Sequence, residues 1–116
     1  MNIYDKAHEL AHELKNYPDV VELRKASEKV KLNETNKKML DDFRKVQIEA
    51  YSEQAQNGKL SKELEEKLQN LYSIVSMNPD VKDYLLAEQK FGVVWEDIMK
   101  ILNDAINIDL TFEEGK

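Results

Sequence analysis

Residues 78–110 read NPDVKDYLLAEQKFGVVWEDIMKILNDAINIDL, and the architecture of the chain follows from them. Asn78 suits the N-cap of a helix and Pro79 its first position. Beyond Pro79 the stretch contains no further proline. Its apolar and aromatic residues recur at helical spacing, at Val81, Tyr84, Phe91, Trp95, Met99, Leu102 and Ile106. One helix is therefore predicted over this whole stretch, with a length of roughly 45 Å.

The C-terminal half of this helix is apolar on more than one side. A second apolar line joins the first, at Val94, Ile98, Ile101, Ala105 and Ile108. A compact domain of this length has a radius of gyration of only about 13 Å, so the helix is longer than the globule that could cover it. We expect a second copy of the chain to supply the missing cover. The predicted contact residues are Glu88, Phe91, Gly92, Trp95, Ile98 and Leu102.

Two residues in the apolar line do not suit a simple core helix. Glu88 needs a partner if it is buried. It either makes a polar contact at a helix–helix or subunit interface, or lies at the edge of the line and reaches solvent. Gly92 costs a helix about 1 kcal/mol relative to alanine. Either another helix approaches closely there, or the helix simply tolerates the glycine.

Four shorter helices are predicted before the long one. Their approximate ranges are 3–15, 18–32, 33–57 and 61–77, punctuated by Pro18, Gly58 and the cap residue Ser61. A short turn at Gly58 joins the third and fourth helices, so they should form an antiparallel hairpin. The prediction is one all-α domain over residues 1–110 that oligomerises through helix packing. Residues 111–116 are predicted to form an acidic disordered tail.

Composition restricts the classes of function. The 116 residues include no cysteine, which excludes thiolate catalysis and cysteine-ligated metal sites. The net charge is −6 and no dense cluster of Lys and Arg occurs, which disfavours direct binding to nucleic acid. No apolar run has the length of a transmembrane segment or a signal sequence. We expect a cytoplasmic protein that does not insert into membranes.

The segment His8-Glu9-Leu10-Ala11-His12 matches the H-E-x-x-H pattern of zinc peptidases. In those enzymes, two imidazoles on one helical face bind zinc and the glutamate acts as a general base. On a helical wheel, however, His8 and His12 lie more than 90° from the centre of the apolar face, and the chain has no other histidine. A small zinc hydrolase that uses these residues is the alternative hypothesis.

The remaining charged residues do not suggest catalysis. A mixed run of charges, Glu34, Lys37, Lys38, Asp41, Asp42, Arg44 and Lys45, is typical of a solvated helix face. Neighbouring carboxylates such as Asp41 and Asp42 diverge on a helix and cannot act as a pair. We find no phosphate-binding loop and no nucleophile with a matching base. The chain is therefore predicted to be a non-enzymatic interaction protein without a cofactor.

Several short motifs, taken in order, resemble the YlbF/YmcA/YheA family of small helical proteins of Gram-positive bacteria, and most closely its YheA-like branch. They are Asn2-Ile3-Tyr4-Asp5 with Ala7 and Leu10, Asp42-Phe43-Arg44 with Gln47, Gln54 with Gly58, and Asn78-Pro79 with Val81, Tyr84-Leu85, Ala87-Glu88 and Phe91. The likeness extends over nearly the whole chain.

The resemblance implies a cytoplasmic all-α protein that forms a homodimer or a higher homo-oligomer. It also implies an accessory role in a regulatory protein complex that acts on competence, sporulation and biofilm formation through an endoribonuclease that matures messenger RNA. Relatives in that complex are associated with cysteine-ligated iron–sulfur clusters. Because this chain has no cysteine, the resemblance does not imply that it binds such an iron–sulfur cluster.

Overall fold

The computed structural model describes residues 2–108, which form five helices connected by short turns. The helices are α1 (Ile3–Asn16), α2 (Pro18–Lys31), α3 (Glu34–Asn57), α4 (Lys62–Ser76) and α5 (Pro79–Ile106). The predicted all-α class is confirmed, and each helix ends within a few residues of its predicted bounds. The predicted tail, residues 111–116, lies outside the described residues.

Local sequence signals explain where the helices begin. The side-chain oxygens of Asn2, Asn33, Ser61 and Asn78 each accept a hydrogen bond from the backbone N–H three residues later. These bonds satisfy backbone donors that have no partner inside the helix. At the end of α3, Gly58 has φ of 78°, the left-handed conformation that favours glycine at this position.

The helices α3 and α4 form the predicted antiparallel hairpin. Near its turn, Val46, Ala50 and Leu64 are buried together. Toward its open end, Phe43 and Val75 join a second cluster with Val30, Leu40 and Val81. Val81 is fully buried, so the start of α5 lies at the centre of the fold.

A buried amide connects the starts of α3 and α5. The side chain of Asn36 is 93% buried, and its oxygen accepts a hydrogen bond of 2.7 Å from the side-chain nitrogen of Asn78. Asn78 also caps the N-terminus of α5, so its side chain both caps this helix and binds Asn36 of α3. Since a buried amide without a partner is costly, this bond favours one relative position of the two helices.

The helix α2 runs antiparallel along the first part of α5. Val30, near the end of α2, shares a cluster with Val81, whereas Glu22, near its beginning, forms an ion pair of 3.6 Å with Lys90. Because α2 begins only one turn before Glu22, α5 extends well beyond it. The described residues measure 51 × 44 × 17 Å with a radius of gyration of 18.2 Å. A compact chain of this length would have a radius of about 13 Å, so the protomer is flat and extended.

None of the described helices is long and apolar enough to cross a membrane.

Candidate functional site

The most prominent surface feature is an apolar line on α5 that no other part of the described chain covers. We call Gly92, Trp95, Met99, Leu102 and Ile106 the α5 stripe. Its spacing alternates between three and four residues, which is the pattern of a coiled-coil seam. Trp95 is 47% exposed, Leu102 45% and Ile106 50%. Large apolar side chains in such a row are usually in contact with another helix.

The stripe is uncovered because α5 extends beyond the helices that pack against it, α2, α3 and α4. Val94 and Ile98 are still half-buried, but every residue from Met99 to Ile108 is exposed. The predicted excess length of the helix is therefore present. The second apolar line of α5 also reaches the surface, since Ile101 on that line is 67% exposed. The C-terminal half of α5 is therefore apolar on two sides, as predicted.

The predicted contact residues differ in how much of their surface is exposed in the protomer. Trp95 and Leu102 lie in the α5 stripe, and the half-buried ring of Phe91 has its centroid 6.0 Å from that of Trp95. Ile98 is more buried than Trp95 and Leu102, so part of its surface is already used within the protomer. The role of these residues in self-association stays a prediction.

Gly92 has open space beside it. A Cβ atom built on Gly92 would have no atom within 4 Å outside its own stretch of helix. Close approach of another helix, which was one explanation for this glycine, does not occur within the described chain. An approach by a second chain and simple tolerance are the explanations that remain.

Glu88 makes its polar contact inside the protomer, with one residue of the adjoining α3 and one residue of its own helix. Its carboxylate accepts hydrogen bonds from the Arg44 guanidinium on α3 and, at 3.0 Å, from the Tyr84 hydroxyl on α5. Arg44 also donates to the Tyr84 oxygen at 2.9 Å, and its guanidinium lies 5.6 Å from the centre of the Tyr84 ring. Of the two interpretations of Glu88, the structure therefore shows the helix–helix contact.

Arg44 does not lie on a solvated helix face, contrary to what its position in the charge run predicts. Its side chain is 38% exposed and forms an ion pair with Glu88 on another helix. Lys38 and Asp42 from the same run do form an ordinary exposed pair one turn apart. The feature of the sequence that indicates such a pair is Glu88, since a buried carboxylate in an apolar line needs a cationic partner.

The contacts in this cluster raise the pKa values of Arg44 and Tyr84. The hydrogen bond from Arg44 to Glu88 raises the pKa of the guanidinium above its ordinary value. Burial, and then the neighbouring Glu88 carboxylate, raises the pKa of the Tyr84 hydroxyl. Both shifts favour the charged Arg44 and the neutral Tyr84, which are the forms that make the observed hydrogen bonds.

The helix α1 carries a second apolar line, which is exposed except at the half-buried Leu14. We call Ile3, Ala7, Leu10 and Leu14 the α1 stripe. The helix buries none of its residues fully, and within residues 2–108 it packs against α2 alone. Ile3 is 76% exposed and Leu10 39% exposed.

The histidines of the alternative hypothesis also lie on α1. His8 and His12 are exposed. Within the described part of the chain, no three His, Asp or Glu side chains are grouped so that they could hold a metal ion. The hydrolase alternative stays a prediction that this geometry does not favour.

An open groove of about 420 Å³ lies between α3, α4 and α5. Its floor is formed by Phe43 and Val75, and the exposed side chains of Tyr72 and Leu86 stand beside it. Glu88 lines the same groove, so the polar cluster also faces this opening.

Comparisons with known proteins agree with the resemblance seen in the sequence. Residues 3–107 match the family described as "Control of competence regulator ComK, YlbF/YmcA". A UPF0342 protein of Clostridium tetani is 59% identical over 116 residues, which is the full length of both chains. A UPF0342 protein of Halothermothrix orenii is 39% identical over 98% of this chain and 97% of its own.

The fold also occurs in a solved structure. A protein of unknown function (DUF964) from Bacillus stearothermophilus superposes with a TM-score of 0.74 and covers 96% of this chain and 98% of its own. The sequence identity is 17%, so this likeness concerns the fold alone.

Proposed function

The chain belongs to the YlbF/YmcA family, and on that premise we propose that it is a non-enzymatic accessory protein that self-associates through α5. Its role in this proposal is to bind other proteins of a regulatory assembly that processes messenger RNA, as the resemblance to the family implies. The protein would act in the cytoplasm, as a homodimer or a higher homo-oligomer, and without a cofactor.

The observation that carries the proposal is the exposed α5 stripe. Trp95, Leu102 and Ile106 each leave about half of their surface in water, although their spacing is that of a helix–helix seam. Burying apolar surface yields roughly 25 cal/mol per Å². A second copy that covers the stripe would therefore gain several kcal/mol from these side chains.

Two further features support an interaction role over catalysis. The strongest polar cluster, formed by Arg44, Tyr84 and Glu88, is satisfied by its own members and connects α3 to α5. The raised pKa values of Arg44 and Tyr84 favour the charged guanidinium and the neutral hydroxyl, so neither group is poised for proton transfer near neutral pH.

Sedimentation equilibrium at micromolar concentration tests the proposal. We expect the wild type to be a dimer or a larger oligomer. Trp95→Glu and Leu102→Glu should give a folded monomer, because each charge would be buried unpaired in the interface, at a cost of several kcal/mol. Both positions are about half exposed in the protomer, so the monomer should tolerate the charge. Ile98→Asp is a poorer test, since Ile98 is partly buried within its own chain.

Val93→Glu is the matched control. Val93 lies on the same helix and is 57% exposed, but it points away from the α5 stripe, so this variant should associate like the wild type. In the cell, a strain that carries Leu102→Glu should process messenger RNA like a strain that lacks the gene. A well-folded wild-type monomer at micromolar concentration would contradict self-association, and unchanged transcript processing in the deletion strain would contradict the regulatory role.

A further inference from the structure

We infer that the α1 stripe of one protomer packs on the α5 stripe of a second copy, and that the exchange is reciprocal. This inference rests on the proposed self-association and names the helices that make the contact. The interface would contain α1 and α5 of both copies, instead of two α5 helices that pair only with each other.

The first argument is that α1 has no sufficient partner in its own chain. An isolated helix of 14 residues is marginal in water, because nucleating a helix is costly and few hydrogen bonds repay it. Yet α1 is capped by Asn2, whose side chain accepts from the Asp5 backbone N–H at 2.9 Å, and it carries a regular apolar line. A helix with these features and no fully buried residue is stabilised when another helix covers its apolar line.

The second argument is the match between the two stripes. The α1 stripe, at residues 3, 7, 10 and 14, has steps of four, three and four residues. The last four members of the α5 stripe, at residues 95, 99, 102 and 106, have the same steps. Each line is therefore roughly 16 Å long. Two helices with equal apolar lines of this period can interlock along their full length.

The third argument is that the contact has to come from another copy. Within the described residues α1 contacts α2 and makes no contact with α5. At the turn between α1 and α2, Tyr17 adopts an extended conformation, and the Arg24 side chain donates a hydrogen bond of 3.2 Å to the Lys15 carbonyl. This bond helps to hold the turn in the conformation that keeps α1 off the α5 of its own chain.

The fourth argument is area. The half-exposed side chains of the α5 stripe amount to only on the order of 350 Å² of apolar surface, whereas stable interfaces bury about 800 Å² on each partner. Adding the exposed apolar side chains of α1, including Tyr4, brings the total to on the order of 700 Å² per protomer. A reciprocal contact that uses both helices thus offers about twice the apolar area of the α5 stripe alone and approaches the area that a stable dimer needs.

Cysteine cross-linking tests the inference directly, because the natural chain has no cysteine. Ala7→Cys and Leu10→Cys mark the middle of the α1 stripe, and Met99→Cys and Leu102→Cys mark the middle of the α5 stripe. Each α1 variant is mixed with each α5 variant, the subunits are exchanged, and a short thiol cross-linker is added. We expect at least one mixed pair to give a covalent heterodimer, with at least tenfold more product than His12→Cys on the opposite face of α1 gives with the same α5 variants.

Sedimentation equilibrium of Leu10→Glu, with His12→Glu as its control, provides a second readout. We expect Leu10→Glu to raise the dissociation constant of the dimer at least tenfold, and His12→Glu to leave it unchanged. A wild-type dimer in which no mixed pair cross-links, or in which only the α5 cysteines react with one another, would overturn the inference and leave the proposed self-association standing. A monomeric wild type would overturn both.

Discussion

At the scale of single residues, the cluster of Arg44, Tyr84 and Glu88 is a polar contact that helps to orient α5. Two of its three hydrogen bonds, from Arg44 to Tyr84 and to Glu88, join α3 to α5, and the third lies within α5. The side chains of Arg44 and Glu88 are each 38% exposed, so solvent screens the ion pair and its contribution to stability is modest. Its greater effect is geometric. Glu88 lies one turn before Gly92, so the cluster fixes the rotation of α5 just where the α5 stripe begins.

A prediction at this scale concerns the ionisation of Tyr84. Because burial and the Glu88 carboxylate raise the pKa of its hydroxyl, Tyr84 should lose its proton at higher pH in the folded protein than in the unfolded chain. The folded state then holds this proton more tightly than the unfolded chain. The resulting stability is fully present below about pH 10 and is lost as the pH rises through the folded pKa.

Absorbance titration of the phenolate measures this difference. Replacing Tyr84→Phe should remove the part of the titration at highest pH. The control Tyr51→Phe, at a position that is 80% exposed and outside the cluster, should leave that part of the titration in place. If Tyr84→Phe also leaves it in place, the Tyr84 hydroxyl does not make the hydrogen bonds described above.

At the scale of elements, the two ends of the continuous helix α5 have different surroundings. Its first part is covered by α2 and by the hairpin of α3 and α4, and it contains the fully buried Val81. Its last part presents a seam with coiled-coil spacing to solvent. The same continuous helix thus serves the core of the protomer at one end and an exposed surface at the other.

A prediction at this scale concerns Gly92, where the two parts meet. Gly92→Ala should stabilise the isolated protomer by about 1 kcal/mol, because alanine has the higher helix propensity and the added methyl group meets no other atom. If a second chain approaches closely at Gly92, the same methyl group should weaken association. Chemical denaturation and sedimentation equilibrium measure the two effects separately.

The control for this substitution is Val93→Ala at the neighbouring exposed position, which should raise helix propensity without changing association. Unchanged association in Gly92→Ala would mean that the helix merely tolerates this glycine and that no chain passes close to it.

At the scale of the whole molecule, the protomer is unusually open for its length. Its radius of gyration is 18.2 Å, against about 13 Å for a compact chain of this length. Two features account for this: α1 stands apart from every described helix except α2, and α5 continues past the start of α2. Both features expose apolar lines, which is why a second copy is the natural cover for them.

Small-angle scattering of the Leu102→Glu variant tests this open shape. If the variant is a folded monomer, its radius of gyration should stay close to that of the protomer, well above the value of a compact chain. A radius near 13 Å would mean that α1 folds back onto the α5 of its own chain in solution. That result would contradict the separation of α1 from α5 on which the reciprocal interface depends.

The helices and their order could be predicted from the sequence, because the signals that start and stop a helix are local. Asn78 and Pro79 begin α5, and Gly58 ends α3, through backbone preferences that act within a few residues. The short turn at Gly58 predicted the antiparallel hairpin, and the apolar spacing over residues 78–110 predicted the excess length of the last helix. The family also followed from residues that can be read in order along the chain.

Which distant residues meet depends on the tertiary arrangement of the helices. Arg44 and Glu88 are 44 positions apart, and whether they face each other depends on how α3 and α5 cross and rotate. Sequence periodicity reports the face of one helix and carries no information about a crossing angle. For the same reason the sequence could not show that, among the described helices, α1 packs against α2 alone: its apolar line has the same spacing whether its own chain or another covers it.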